Sequence, residues 1–177
     1  VLYIVWPLIF TLLISIGTMI KDMGPLGAGI YAFLNRLLVP LGLHHMLNSI
    51  FWFDVIGIND IGNYWAGTGI RGVTGMYQAG YYPIMMFGVV AMALAMYQCC
   101  FITRKKKMKP FFVSSAIASF LTGVTEPLEF SFMFLSPLLY VMHALLTGIS
   151  VFMAASLQYI AGFSFSAGAI DFVLASS

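Results

Sequence analysis

Two carboxylates lie in a stretch of the chain that otherwise holds only apolar and hydroxyl-bearing residues. Glu126 and Glu129 belong to the block GVTEPLEF at residues 123 to 130, and neither residues 111 to 122 nor residues 130 to 170 contain Asp, Glu, Lys or Arg. An ionisable side chain at membrane depth costs roughly 2.5 to 3.5 kcal/mol on insertion scales, so it persists where it faces a cavity or a partner. Glu126 is therefore the first candidate for a site residue.

The same block predicts a break in a helix. Gly123 lets the backbone turn, whereas Pro127 lacks an amide donor and disfavours a helical conformation at Glu126, so we expect a helix to end near Thr122. Non-helical backbone is tolerated in a bilayer only where protein buries it or where it lines water. We therefore predict a re-entrant tip that presents Glu126 to a polar pocket.

The composition is that of an integral membrane protein. Of the 177 residues, 61% are hydrophobic and 8% are charged, against roughly 25% charged residues in a soluble domain. We predict an all-α membrane protein with transmembrane helices and re-entrant hairpins. Val1 to Ile20 carries no charge and matches the roughly 20 residues that a helix needs to cross the hydrocarbon core. Because the sequence begins without Met and without a basic segment, we expect a partial chain.

A run of basic residues from Arg104 to Lys109 accounts for most of the net charge of +2. By the positive-inside rule we expect it to form a cytoplasmic loop. One short basic run orients a membrane protein and does not imply nucleic acid as a partner. A straight helix from Pro110 to Glu126 would rise about 24 Å, short of the roughly 30 Å hydrocarbon core, which places Glu126 inside the membrane.

A second group of polar residues lies upstream. Arg36, His44 and Asn48 are spaced by eight and four residues, so they share one face if the helix continues past Pro40. Residues 51 to 65 mix aromatic side chains with Asn and Asp, which is typical of a membrane interface or of the wall of a sugar site.

Three later segments leave their topology open. Residues 81 to 101 are long enough for one helix, although a proline and a glycine leave room for a hairpin. Residues 130 to 170 are long enough for two crossings, or for one crossing and a re-entrant hairpin.

His143, alone on an apolar helix, is more often a hydrogen-bonded packing residue than a ligand. The small and hydroxyl-rich residues 162 to 168 favour close helix packing or a hairpin tip.

Polar residues at membrane depth with aromatic rings nearby supply the donors, acceptors and ring faces that a sugar site uses. Four blocks of the chain are distinctive: GLHH at residues 42 to 45 with Asn48, IMMFG at 84 to 88, GVTEPLEF at 123 to 130 and FSFSAGAIDF at 163 to 172. These blocks resemble the membrane component, enzyme IIC, of the sugar phosphotransferase system, in its glucose, N-acetylglucosamine and maltose superfamily. The resemblance covers most of the chain from Arg36 onward, and its TEPLEF sequence is highly specific.

The resemblance implies a homodimeric permease in which an elevator-type substrate domain moves across a dimerisation domain. It assigns residues 1 to 22 to a transmembrane helix at the end of the preceding dimerisation domain, and residues 23 to 177 to part of the sugar-binding transport domain. The expected fold is the substrate-binding half of an elevator-type sugar transporter. The expected location is the bacterial inner membrane, which the protein crosses several times.

The resemblance also implies site residues and a reaction. In the family a glutamate and a histidine line the sugar site, and these carry over to Glu126 and His44, whereas Arg36 matches an arginine of maltose-type members. We add Asn48 and Glu129 to the expected substrate-binding residues, and expect Glu126 to be catalytic. A phosphocysteine on enzyme IIB phosphorylates the 6-hydroxyl of the sugar in this family, so phosphorylated enzyme IIB is the expected partner. We expect no cofactor and no metal.

The identity of the sugar is open. Residues 161 to 171 look most like N-acetylglucosamine members and residues 52 to 54 look equally like maltose-type members, so N-acetylglucosamine is the best guess and glucose or maltose the alternative. This chain has Val89 and Val90 where family members commonly carry Leu-Pro, a proline that shapes a hairpin. A proton-coupled secondary sugar transporter that uses Glu126, and an inactive membrane fragment, are the competing hypotheses.

Overall fold

The computed structural model describes residues 2 to 53 and 55 to 176, and the regular structure in these ranges is helical, with no strand. The α-helices are α1 (Leu2–Asp22), α2 (Pro25–Leu38), α3 (His44–Trp52), α4 (Asp60–Trp65), α5 (Tyr81–Pro83), α6 (Val89–Cys99), α7 (Ile102–Thr122), α8 (Glu126–Met133), α9 (Pro137–Ser156) and α10 (Ala169–Ser176). A 3-10 turn, Val39–Leu41, follows α2, and a π-helical segment, Ile84–Gly88, joins α5 to α6. The prediction of an all-α protein is confirmed.

Among the described residues, three helical rods are long and apolar enough to cross a membrane, namely Val5–Asp22, Tyr81–Cys99 and Pro137–Ser156. The first agrees with the predicted N-terminal transmembrane helix. The second combines α5, the π-helical segment and α6, so the hairpin that the sequence left open does not form there. Pro83 lies in the first turn, where its missing amide hydrogen costs nothing, and Gly88 takes a helical φ of −60°. Val89 and Val90 simply continue the rod.

Residues 130 to 170 contain one rod of membrane-spanning length, α9. The second crossing that the sequence allowed is absent, because the backbone after Ser156 turns and runs irregularly to Gly168. Gln158 takes a positive φ of 57°, a conformation that ends a helix. The irregular stretch returns to the break between α7 and α8.

The basic run is helical, whereas the sequence analysis predicted a loop. Helix α7 begins at Ile102 and includes Arg104 to Lys109. Lys and Arg are good helix formers, so a helix can begin in a charged segment that reaches out to water. Lys105 Nζ also donates to the carbonyl of Gln98 at 3.3 Å and lies 5.2 Å from the centre of the Tyr97 ring. These contacts tie the basic turns to the end of α6.

We expect these basic turns to face the cytoplasm. The test is Lys107→Cys, whose native side chain is exposed, in a background in which the free cysteines Cys99 and Cys100 are replaced by Ser. A membrane-impermeant thiol reagent should modify this variant in inside-out vesicles and leave it unmodified in intact cells. Efficient modification from outside intact cells would contradict the orientation.

Helices α2 and α9 approach each other closely through two glycines. A Cβ on Gly29 would lie 3.0 Å from the carbonyl oxygen of Gly148, and a Cβ on Gly148 would lie 2.9 Å from the carbonyl oxygen of Gly29. Small residues permit such close backbone contact between helices in membrane proteins. The crossing fixes the helix that carries Arg36 against the helix that carries His143.

The main hydrophobic core is built from aromatic rings. The side chains of Tyr31, Phe51, Tyr77, Tyr81 and Phe163 are each no more than 2% exposed. The ring centroids of Tyr31 and Phe51 are 4.5 Å apart, and those of Phe51 and Tyr77 are 4.7 Å apart. Aromatic pairs at such distances stabilise a core beyond the area that they bury. The core thus holds the irregular segments before α5 and α10 against α2 and α3.

Candidate functional site

A cavity of about 190 Å³ lies where α2, α3, the break between α7 and α8, and the segment before α10 meet. Four of the five candidate residues line it: Arg36, His44, Asn48 and Glu126. Aromatic side chains complete its wall, namely Trp52, Tyr81, Phe163 and Phe165. Glu129, the fifth candidate, does not line the cavity.

The break between α7 and α8 presents Glu126 to this cavity. As predicted, α7 ends at Thr122, and Gly123 takes a left-handed φ of 74° that favours glycine. A Cβ on Gly123 would lie 2.6 Å from Ser166 Oγ, so no side chain fits there. The expectation that Glu126 would not be helical is wrong, since Glu126 is the first residue of α8. Pro127 follows in the first turn, where the missing amide hydrogen would have had no partner in the helix.

Arg36, His44 and Asn48 meet through two helices, so the condition that one helix continues past Pro40 is not met. Helix α2 ends at Leu38, before Pro40, and Gly42 takes a left-handed φ of 71°. The polar face that the spacing predicted is nevertheless present, because His44 and Asn48 lie one turn apart on α3 and α2 brings Arg36 to the same cavity.

Arg36 and Glu129 form a buried ion pair behind the cavity wall. Arg36 Nη1 donates to Glu129 Oε1 at 2.8 Å and to Thr125 Oγ1 at 3.2 Å. The two charged side chains are 4% and 0% exposed. Removing two charges from water is costly unless the pair has good geometry and further hydrogen bonds. Glu129 therefore holds Arg36 in place from behind.

Two residues of helix α9 form hydrogen bonds with the residues of this ion pair. His143 Nε2 lies 3.1 Å from Glu129 Oε1, the same oxygen that binds Arg36. The hydroxyl of Tyr140, one turn earlier on α9, donates to the carbonyl oxygen of Arg36 at 2.5 Å. His143 is thus a hydrogen-bonded residue packed behind the site, in agreement with the expectation from the sequence.

Asn48 is fixed by its neighbours on α2. The Tyr31 hydroxyl donates to Asn48 Oδ1 at 2.8 Å, and Asn35 Nδ2 donates to the same oxygen. Asn35 Nδ2 also lies 3.3 Å from the carbonyl oxygen of His44. These bonds tie the first turns of α3 to α2, so Asn35 and Tyr31 support the polar wall.

His44 is half-buried and lies outside the three candidate spans. Burial, together with the neighbouring His45 and Arg36, lowers the pKa of His44 to about 4. A pKa below the ordinary value of about 6.5 means that the imidazole is neutral near pH 7. A neutral imidazole has one donor and one acceptor nitrogen, so His44 can exchange hydrogen bonds with a hydroxyl group without contributing charge.

Several residues that line the cavity carry buried polar atoms with no hydrogen-bond partner among the described residues. These atoms include Arg36 Nε, Arg36 Nη2 and His44 Nδ1. Buried polar groups are normally paired, so an unpaired group at a cavity indicates a place for a ligand. Glu126 is half-buried and makes no side-chain hydrogen bond or ion pair within the part of the chain that the structure describes. Donors, a free carboxylate and aromatic faces together suit a ligand with several hydroxyl groups.

Nowhere in residues 2 to 53 and 55 to 176 do three or more His, Cys, Asp or Glu side chains group so that they could hold a metal ion. The chemistry of the cavity is that of a carboxylate and nitrogen donors.

The sequence analysis missed the part of the wall that residues 163 to 168 supply. Phe163, Phe165 and Ser166 line the cavity, but the small and hydroxyl-rich composition predicted only close packing or a hairpin tip. The available signal was Asp171, an isolated carboxylate five residues after Ser166 in an otherwise uncharged region. Asp171 is 8% exposed and accepts hydrogen bonds from the backbone of this segment.

The chain is similar to membrane components of the phosphotransferase system. The family model described as "Phosphotransferase system, EIIC" matches residues 1–148. The "PTS system N-acetylglucosamine-specific EIICBA component" of Klebsiella pneumoniae is 50% identical over 179 aligned positions, which cover 96% of this chain and 27% of the relative. The "PTS system N-acetylglucosamine-specific EIICB component" of Bacillus subtilis is 48% identical, over 97% of this chain and 38% of the relative.

A relative that is named for a different sugar is also similar to this chain. The "PTS system glucose-specific EIICBA component" of Staphylococcus carnosus is 40% identical over 97% of this chain and 27% of its own length. The chain therefore spans about a quarter to two fifths of the length of these curated relatives. Since the family model matches most of the chain and the relatives are this similar, the chain belongs to the EIIC family of the phosphotransferase system.

Proposed function

We propose that this protein is the sugar-specific permease component of a phosphotransferase system, which binds and translocates a hexose while enzyme IIB phosphorylates its 6-hydroxyl. The observation that carries the proposal is the cavity in which Glu126, His44 and Arg36 converge in a chain of the EIIC family. A hydroxyl-rich ligand satisfies the donors that have no other partner there.

The proposed sugar is N-acetylglucosamine. Relatives named for N-acetylglucosamine are 42% to 50% identical to this chain, and relatives named for glucose are 38% to 40% identical. Glucose is therefore the second choice. Maltose, which the sequence left open, has no support from these relatives, and Asp54, part of that expectation, lies outside the described residues.

In the proposed complex, nitrogen donors and aromatic rings orient the sugar. Arg36 Nε and Nη2 donate to ring hydroxyls, and His44 exchanges a hydrogen bond with another hydroxyl. The apolar face of the sugar packs against Trp52 and Phe163, whose ring centroids are 5.2 Å apart in an edge-to-face arrangement. Glu129 has no direct contact with the sugar in this proposal and acts by holding Arg36.

The proposed reaction uses Glu126 as a general base. The 6-hydroxyl of the sugar donates to the Glu126 carboxylate and passes its proton to it while the hydroxyl oxygen attacks the phosphorus of a phosphocysteine. The oxygen–phosphorus bond forms, the sulfur–phosphorus bond breaks, and the cysteine leaves as a thiolate. Such proton transfer contributes roughly a hundredfold to ten-thousandfold in rate. The phosphocysteine belongs to enzyme IIB, on another domain or chain.

The proposed setting is the bacterial inner membrane. Three apolar rods of spanning length and the glycine contact between α2 and α9 support a protein that crosses the bilayer several times. We also propose that residues 1 to 22 end a dimerisation domain, that residues 23 to 177 belong to the elevator-type transport domain of a homodimer, and that the tip at Gly123 is re-entrant.

Sugar uptake into vesicles tests this function. Vesicles that contain the protein should accumulate N-acetylglucosamine 6-phosphate only when phosphorylated enzyme IIB is supplied, and a protonophore should not reduce the accumulation. Accumulation of free sugar that depends on a proton gradient, without enzyme IIB, would establish a secondary transporter instead. Absence of both uptake and sugar binding would support an inactive fragment.

We expect His44→Ala to weaken sugar binding more than His143→Ala. His44 lines the cavity, whereas His143 lies behind Glu129 and keeps Arg36 in place only indirectly. Losing one hydrogen bond at His44 should weaken binding about tenfold or more, and His143→Ala should weaken it by less. Equilibrium binding of radiolabelled N-acetylglucosamine measures both variants, and equal affinities would indicate that the face bearing His44 only packs.

A further inference from the structure

Asp171 holds the segment that forms one wall of the cavity. Its Oδ1 accepts a hydrogen bond from the backbone amide of Ser164 at 3.3 Å. Its Oδ2 accepts hydrogen bonds from the amides of Phe165 at 3.4 Å and of Ser166 at 3.1 Å. Asp171 is 8% exposed, so these three amides are its principal partners. One carboxylate thus orders three consecutive backbone units that have no regular structure of their own.

The ordered segment is also fixed to the tip that carries Glu126. Ser166 Oγ donates to the carbonyl oxygen of Gly123 at 3.0 Å. A Cβ on Gly168 would lie 2.5 Å from the backbone nitrogen of Gly123, so the two backbones touch. Phe165 and Ser166 line the cavity. A displacement of this segment would therefore change both the wall of the cavity and the contacts that hold the tip at Gly123.

We propose that Asp171 is a positioning residue for sugar binding. Asp171 does not touch the sugar. It holds the amides of residues 164 to 166 so that Phe165 and Ser166 form a preorganised wall for the ligand. Three consecutive backbone amides share one carboxylate, and a wall that is fixed before binding saves the cost of ordering it afterwards. The inference rests on the proposed function, because it assumes that the cavity binds the sugar.

Asp60 provides a matched control. It is also a buried carboxylate, 1% exposed, and it accepts a hydrogen bond from the amide of Gly75 at 2.6 Å. It lines a different cavity, next to Lys21 and Thr74, and no part of the wall around Glu126. A purely structural role for a buried aspartate should therefore appear equally in Asp60→Asn and Asp171→Asn.

The test compares Asp171→Asn with Asp60→Asn in the membrane-reconstituted protein. Asparagine keeps the shape of aspartate, but it loses the charge and turns one acceptor oxygen into a donor that faces amide hydrogens. We expect hydrogen exchange at the amides of residues 164 to 166 to become faster in Asp171→Asn. We expect its dissociation constant for N-acetylglucosamine to rise about tenfold, and the turnover of bound sugar with phosphorylated enzyme IIB to fall by a smaller factor.

The possible results distinguish a positioning role of Asp171 from a general effect on the stability of the fold. Faster exchange with an unchanged dissociation constant would overturn the proposal, as would unchanged exchange, or equal weakening of binding by Asp60→Asn. Sugar binding is measured without enzyme IIB, so a wild-type protein that binds the sugar but receives no phosphate would refute the proposed function and leave the comparison at Asp171 intact. A wild-type protein that binds no sugar would refute both.

Discussion

Replacing Glu126 by Gln is expected to reduce phosphoryl transfer to the sugar roughly a hundredfold or more, the usual scale for the loss of a general base. Glutamine keeps the volume and can still accept a hydrogen bond, but it cannot take the proton of the 6-hydroxyl. Because Glu126 is half-buried and has no ion pair among the described residues, the variant should fold and insert normally. Its sugar affinity should fall only modestly.

The measurement for Glu126 is transfer of labelled phosphate from phosphorylated enzyme IIB to N-acetylglucosamine in vesicles that contain each variant. Equal amounts of protein in the membrane, checked by immunoblot, provide the control for folding. Glu129→Gln is the informative comparison, since it changes the neighbouring carboxylate, which does not line the cavity. Wild-type transfer by Glu126→Gln, together with a collapse of transfer in Glu129→Gln, would reverse the roles of the two residues.

Removing the Glu129 carboxylate is expected to lower stability strongly. Glu129→Ala leaves the buried charge of Arg36 without its partner, and breaking such a pair costs roughly 3 to 5 kcal/mol. The double variant Arg36→Met, Glu129→Ala removes both charges, so it should recover part of the lost free energy of unfolding. It should not recover sugar binding, because the donor nitrogens of Arg36 are gone.

Unfolding of the purified variants in detergent, followed by circular dichroism, measures this coupling. We expect Glu129→Ala to have the lowest free energy of unfolding of the set. The double variant should lie between Glu129→Ala and the wild type. Additive losses in the double variant would mean that the two charges do not stabilise each other. Recovery of sugar binding in the double variant would mean that Arg36 has no part in recognition.

The break that builds the site could be predicted because its cause is local. Gly123 and Pro127 act on the backbone next to them, so the end of α7 and the exposure of Glu126 followed from the sequence. The error at Glu126 came from treating Pro127 as a residue inside a helix, whereas a proline in the first turn is tolerated. The helical conformation of the basic run was not predicted, because a high density of charge occurs both in loops and in helices that extend into water.

The partners of the site residues could not be predicted, because they are distant in the chain. Glu129 lies 93 positions after Arg36, and no local pattern indicates that the two charges pair. The spacing placed Arg36 and His44 on one face only if a single helix continued past Pro40. No such helix forms, yet the two residues meet because the turn at Gly42 returns α3 to the same side. The wall formed by residues 163 to 168 depends on Asp171 and Gly123, and the amide hydrogen bonds that order it leave no periodic pattern in the sequence.

The most direct test of whether the sugar binds beside Glu126 is a structure of the protein with N-acetylglucosamine bound. The account predicts that the sugar occupies the cavity between α3 and the α7–α8 break, with its 6-hydroxyl oxygen within hydrogen-bond distance of the Glu126 carboxylate and with Arg36 donating to the ring hydroxyls. Sugar bound elsewhere, for example in the cavity beside Asp60, or bound in this cavity with its 6-hydroxyl directed away from Glu126, would contradict it.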